Sequence, residues 1–143
     1  MTSRIISVNR AIVNRNGFTR TIWKTPNELY KSLNEEFHFD FDPCPLEPKF
    51  NGLDVEWGRS NYVNPPYGKA IPFWLVKGLK EYMKKRTSVF LLPAYTDVKW
   101  FHDLVIPFAT DIRFVRGRLK FDIPNPVGSQ VAPFASMIVV FKP

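Results

Sequence analysis

The chain has one cysteine, Cys44, among 143 residues, so no internal disulfide can form. With only two histidines, no Cys/His cluster stands at zinc-ligand spacing, and no metal site is expected. No apolar run approaches the roughly 20 residues a membrane-spanning helix needs. The N-terminus carries Arg4 and Arg10 but no hydrophobic segment followed by a small-residue cleavage site, so no secretory leader is expected. These absences point to a reducing, cytoplasmic setting away from membranes. Glycine is scarce at seven residues, and no Gly-x-Gly occurs. Acid is missing from the first 27 residues, where Arg4, Arg10, Arg15, Arg20 and Lys24 stand alone.

What is present describes one folded domain. Hydrophobic residues make up 45% and aromatics 15%, enough for a real core at this length. Thirteen prolines enforce many turns. The net charge of +7 and a pI near 9.7 suit a polyanionic partner. Charge is also segregated: eight acids lie between Glu28 and Glu56, against Lys31 and Lys49. Basic residues return at 69–86 and 113–120. An acidic middle between basic flanks fits a cationic ligand beside a phosphate backbone, and it equally fits a solvated mixed-charge surface.

The organising stretch is Asn61-Tyr62-Val63-Asn64-Pro65-Pro66-Tyr67-Gly68. Tyr62 and Val63 favour a half-buried strand. Pro65 and Pro66 lack backbone N–H groups and stop it. Pro65 holds Asn64 extended, so its amide is presented stiffly at a strand end. Tyr67 adds an aromatic face, and Gly68 permits a tight exit. Rigid acceptors beside an aromatic plate suit a flat, amine-bearing ring.

The rest reads around this stretch. Residues 1–22 form a basic N-terminal arm with a hairpin turn at Asn16-Gly17, either for nucleic acid or as an edge strand. The domain proper is 23–143. Thr25 reads as an N-cap, Pro26 as the first helical residue and Glu28 as the capping-box partner of a helix over 26–36. Leu29, Tyr30, Leu33 and Phe37 make its apolar stripe. Phe37–Asp42 alternates as a strand ending in Asp42-Pro43-Cys44-Pro45. Residues 45–60 read as a loop. Ile71, Trp74, Leu75, Leu79 and Tyr82 predict a helix over 71–85, and Ser88–Leu92 a buried strand parallel to Tyr62–Asn64. Thr96 reads as the cap of a helix over 97–105. Strands are expected over 111–115, 118–121 and 135–141, with 123–134 a polar loop outside the core. The class is α/β, with a sheet shortened because about twenty residues separate Asp42 from Asn64.

Asn64-Pro65-Pro66-Tyr67 resembles the (Asp/Asn/Ser)-Pro-Pro-(Tyr/Phe/Trp) motif of amino-methyltransferases. The ordered set Trp23-Lys24-Thr25-Pro26, Phe39 to Pro45, Tyr62 to Gly68, Leu91-Leu92-Pro93-Ala94, Trp100-Phe101 and Gly117-Arg118 is similar to the phage-type DNA N-6-adenine methyltransferase (Dam) family over most of the chain. The resemblance implies a compact Rossmann-like methyltransferase fold with a shortened, mainly parallel sheet. It implies S-adenosylmethionine as cofactor, held by Trp23, Thr25, Pro26, Asp42, Pro43 and Asn64. Asp40 and Asp54 compete with Asp42. The sequence departs from the wider pattern where Pro45, rather than a glycine-rich loop, follows Cys44. A Pro-Cys pair also carries the nucleophile of cytosine C5-methyltransferases, whereas a structural cysteine is the ordinary reading of Cys44.

The expected chemistry assigns Asn64, Pro65, Pro66 and Tyr67 as catalytic. Asn64 Oδ1 and the Pro65 carbonyl accept the two N–H bonds of a flipped adenine amine, Tyr67 stacks on the base, and the methyl moves by in-line displacement. Tyr67, Lys69, Arg113, Arg116, Arg118 and Lys120 are the expected DNA contacts. Two alternatives stand beside this reading. One is a silent DNA-binding or anti-restriction protein with the same fold. The other is a methyltransferase for RNA adenine, cytosine N4 or a protein glutamine.

Overall fold

A computed structural model describes residues 9–13, 19–123 and 128–143. Strands β1 (Asn9–Val13) and β2 (Thr19–Trp23) pair as an antiparallel hairpin. The turn expected at Asn16-Gly17 lies outside the described residues. Helix α1 spans Asn27–Phe37, with Pro26 itself at the N-cap and no side chain capping it. The expected capping box is therefore absent, and the Thr25 hydroxyl is engaged elsewhere. At the other end Asn34 closes the helix twice. Its carbonyl accepts the N–H of His38, which turns left-handed at φ 52°, and its Oδ1 accepts the N–H of Phe39 at 2.9 Å. This termination carries the helix through Phe37. The strand expected over 37–42 shrinks to one parallel bridge, Phe41 to Asn61.

The central sheet is built from β3 (Ser60–Val63), β4 (Thr87–Pro93), β5 (Asp111–Phe114) and β8 (Ser136–Phe141), in the spatial order β3-β4-β8-β5. Helix α2 (Ile71–Met83) connects β3 to β4, which pair in parallel as expected. Strand β8 runs antiparallel to both β4 and β5. The sheet is therefore mixed, with mostly antiparallel pairings, and the expectation of a mainly parallel one is corrected. The reason lies in the last strand: β3, β4 and β5 share a direction, and β8 alone returns between β4 and β5. Sequence patterning reports burial on both faces, which β8 shares, but says nothing about direction.

Both sheet faces are covered, so β4 and β8 are near-continuous apolar runs, broken only at their ends by Thr87, Ser88 and Ser136. Phe90, Leu92, Met137, Val139 and Phe141 meet Ile71, Trp74 and Leu75 of α2 on one face. Val89, Leu91, Ile138 and Val140 meet Leu33 of α1, Tyr62, Phe121 and Phe134 on the other. The helix expected over 97–105 is shorter. It contains a π turn at Phe101–Val105, closed by the Ile106 N–H bond to the Phe101 carbonyl, and Thr96 does not cap it. Strands β6 (Lys120–Ile123) and β7 (Gly128–Val131) form a second hairpin, beside β1 and β2. Part of the expected polar loop over 123–134 is thus strand, and its end is core: Ala132 and Phe134 are buried. Pro124, Pro126, Gly128 and Pro133 concealed that pairing in the sequence.

One buried charge ties α2 to the sheet margin. Glu81, with no exposed surface, accepts from Lys77 at 2.9 Å and Arg86 at 2.6 Å. Burial pushes its carboxyl up, but the hydrogen bonds from Lys77 and Arg86 outweigh burial and the net shift is downward. A carboxyl held low in the folded state stabilises it above the ordinary glutamate range and loses that contribution as pH falls through the folded value. Glu81→Gln should therefore lower stability at pH 7 by about 3 kcal/mol, by removing the buried charge that Lys77 and Arg86 face, with Arg86 keeping Glu56 as its remaining partner. The gap in urea midpoint between variant and parent should narrow below about pH 4.

Candidate active site

Strand β3 ends at Val63, and Asn64, Pro65 and Pro66 follow it into a buried bend. The prolines act as expected, stopping the strand so that Asn64 stands at its carboxyl end. Asn64 is only 8% exposed, more enclosed than a freely presented amide. Its Nδ2 donates to Thr25 Oγ1 at 3.2 Å. Thr25 Oγ1 also shares a short hydrogen bond with the Tyr62 hydroxyl. One hydroxyl thus joins the segment leading into α1 to two positions of the β3 segment. That use explains why Thr25 does not cap α1.

The sequence places Tyr62 in a strand and in the family-like stretch Tyr62 to Gly68, and Tyr30 in a helical stripe, and gives neither a role at the site. The structure brings both to the site. Tyr30 meets the Tyr62 ring edge-on at 5.1 Å, and Phe39 packs on both. Burial raises the Tyr62 phenol well above its ordinary range, a tendency the Thr25 hydrogen bond reduces and the nearby Asp42 charge reinforces. Burial and Asp42 raise Tyr30 in the same way. Both phenols stay neutral at physiological pH. The signal for Tyr62 was its place two residues before Asn64, which puts both side chains on one face of a strand.

Asp42 follows the Phe41 bridge. Burial pushes its carboxyl up to about 6, and a hydrogen bond from the Cys44 N–H at 2.9 Å opposes the rise. Among the described residues no basic side chain pairs with it. The turn it begins stands where a glycine-rich loop was missed. Pro43 is buried, and Gly52 lies so close that a Cβ there would sit 1.9 Å from the Pro43 carbonyl oxygen. Close packing against Gly52 thus stiffens a turn built of Pro-Cys-Pro. Of the competing acids, Asp40 accepts the Ser60 N–H at 3.0 Å and the Arg59 N–H at 3.3 Å, a loop-fixing role, and Asp54 is exposed.

Tyr67 is half-buried and bridges the two cores. Its hydroxyl donates to the Leu91 carbonyl at 3.1 Å, and its ring meets Phe134 edge-on at 5.5 Å. Tyr95, 44% exposed, meets Phe134 from another side at 6.2 Å. Gly68 follows with φ 103°, a conformation that favours glycine.

The expected DNA contacts divide. Lys69, Arg116, Arg118 and Lys120 are exposed, and none forms an ion pair among the described residues. Arg113 is different. It makes two 2.7 Å bonds to Glu36 and one to Asp111, and lies over the Phe37 ring at 5.4 Å. It clamps α1 to β5, and its guanidinium is engaged by two carboxylates. Trp23 ends β2, and its side chain falls outside the described residues. Among the described residues no three His, Cys, Asp or Glu side chains are grouped to hold a metal, and no helix is long and apolar enough to cross a membrane.

A stiff amide at a strand end, a neighbouring aromatic ring and a half-buried carboxylate lie along this part of the chain. The chain belongs to the DNA N-6-adenine-methyltransferase (Dam) family, whose model matches residues 14–143. It is also similar to a DNA N-6-adenine-methyltransferase of Haemophilus phage HP1 (strain HP1c1). The two are 29% identical over 140 residues, covering 87% of this chain and 80% of that protein.

Asp42 yields a pH prediction. Its folded value near 6 stands above the ordinary 3.8, so between about pH 4 and 6 the folded chain holds a proton the unfolded chain has lost. Stability contributed by that proton declines as pH rises through this window, by about 3 kcal/mol in all. Asp42→Asn should remove the decline and raise the ligand-free protein's urea midpoint at pH 7.5. An unchanged pH profile would refute the assignment.

Proposed function

We propose that this chain is a DNA adenine N6-methyltransferase using S-adenosylmethionine on a Rossmann-like methyltransferase fold. The observation that carries the reading is that Thr25 joins Asn64 and Tyr62 at the end of β3, with the Asp42 charge acting on Tyr62, within a chain that belongs to the Dam family. The family match also favours an enzyme over a silent DNA-binding module.

The donor set fits the cofactor. A half-buried carboxylate without a cationic partner among the described residues suits a ligand bringing hydroxyl or ammonium donors. Asp42 and the Pro43 turn would hold the ribose or amino group. The N–H groups at the start of α1, after Thr25-Pro26, would receive a carboxylate. Trp23 would complete that side. When bound, S-adenosylmethionine supplies an electrophilic methyl on a sulfonium centre.

The chain's own residues prepare the nucleophile. An adenine amine shares its lone pair with the ring. Asn64 Oδ1 and the Pro65 carbonyl, accepting its two N–H bonds, favour tetrahedral nitrogen and stabilise the positive charge that develops. Pro66 fixes the bend that aims them. Extruding the base costs a few kcal/mol, and stacking on Tyr67 returns about 1–3 kcal/mol. Phosphate contacts from Lys69, Arg116, Arg118 and Lys120 make up the remainder. The reaction belongs in the cytoplasm, that of the host where such an enzyme is phage-borne.

Transfer of labelled methyl from S-adenosylmethionine to DNA tests the reading, with mass analysis of the nucleosides. N6-methyladenine should form. Asn64→Ala should lower kcat by about 100-fold or more, the loss typical of a transition-state hydrogen bond. Tyr67→Ala should lower kcat/KM for DNA by about 10-fold or more. Folded variants that both keep parental rates would overturn the mechanism.

A further inference from the structure

We infer that Thr25 and Tyr62 are positioning residues that set the orientation of the Asn64 amide. The inference rests on the catalytic reading of Asn64 and deepens it. A side-chain amide has a donor end and an acceptor end, nearly identical in shape. Only the acceptor end can take an N–H from a substrate amine. Turned over, the amide would set its own N–H groups against those of the adenine. Correct chemistry therefore needs the nitrogen end held away from the base.

The structure supplies that hold. Asn64 Nδ2 donates to Thr25 Oγ1 at 3.2 Å, so Oδ1 projects from the other side of the amide. Thr25 could satisfy either end of an amide, because a hydroxyl both donates and accepts. Its second partner restricts that choice. Tyr62 shares a short hydrogen bond with the same Oγ1, and its own place is fixed by the rings of Tyr30 at 5.1 Å and Phe39 at 5.4 Å. With Asn64 Nδ2 donating into it, the Thr25 oxygen faces Asn64 as an acceptor, and Tyr62 is the partner toward which the Thr25 hydrogen can turn. Tyr62 is buried with its phenol held neutral, so this relation persists across the working pH range. Thr25 gives up the stabilising cap of α1 for this contact, leaving Pro26 as the N-cap without a side-chain bond.

Three variants and one control test it. Thr25→Val keeps the shape and removes the hydroxyl, Thr25→Ser restores the hydroxyl, and Tyr62→Phe keeps the packed ring. Thr25→Val should lower kcat about 10- to 100-fold, the scale of a misplaced reacting group, with KM for DNA within about threefold of the parent. Tyr62→Phe should lower kcat about 3- to 10-fold, since Thr25 remains but is free to turn. Thr25→Ser should recover most of the loss. The dissociation constant for S-adenosylmethionine, measured by calorimetry without DNA, should stay within about threefold in Tyr62→Phe, because that hydroxyl acts on the amide through Thr25 rather than on the cofactor. The control is Asn64→Ala. If it is inactive while Thr25→Val and Tyr62→Phe keep the parental kcat, the positioning role is wrong and the mechanism stands. If Thr25→Val acts wholly by weakening cofactor binding, Thr25 is a cofactor contact and the inference is overturned. If Asn64→Ala keeps the parental kcat, the catalytic reading fails and the inference falls with it.

Discussion

A strand that is forced to stop at Asn64 governs the arrangement of this molecule. Pro65 and Pro66 cannot join a ladder, so β3 yields its last position to a side chain rather than to another paired residue. Everything that meets the site does so at that edge. The Phe41 bridge delivers Asp42, the entry to α1 delivers Thr25, and the bend itself delivers Tyr67. The two cores meet there as well, because Tyr67 packs into both. A displacement of the bend would therefore disturb packing on each face of the sheet, which makes the amide's position expensive to change.

Polar groups at the site are handled at some loss of local stability. The Thr25 side chain would contribute about 1 kcal/mol as a helix cap, yet it bonds Tyr62 and Asn64 instead. Asp42 is kept where ionisation is unfavourable. Away from the site the chain behaves conventionally. Buried Glu81 is answered by Lys77, Arg86 and, at longer range, Lys84, and Arg113 clamps α1 to β5 through two carboxylates. A carboxylate without a cationic partner near a strand end, against the buried Glu81 answered by cations, is the contrast expected between a functional position and a scaffold position.

Directionality was the element that escaped reading. Each strand of the central sheet was legible within a residue or two, because apolar runs bounded by proline or glycine mark strands of either direction. The last strand's return between β4 and β5 left no trace, since β8 is buried on both faces just as a parallel strand would be. The helix that ran through Phe37 hid for a related reason. Phe37, Phe39 and Phe41 alternate, and only the Asn34 closure shows that the first of them is helical. Ala132 and Phe134 looked exposed because prolines surround them, whereas the β6–β7 hairpin folds them into the core.

The sequence by itself determined the bend. Two prolines after a β-favouring pair dictate a rigid strand end with Asn64 and Tyr67 at it, whatever lies around them. It also determined the parallel β3–α2–β4 unit, because helical spacing between two apolar runs allows little else. Tertiary structure alone decided which groups face that bend. Tyr62 and Thr25 are 37 positions apart and Asn64 and Thr25 are 39 apart, distances over which no periodicity speaks. It likewise separated Arg113, held by Glu36 and Asp111, from Arg116 and Arg118 at the surface. Local backbone constraint is written in adjacent residues. The partner of a side chain is settled only when the chain has folded back on itself.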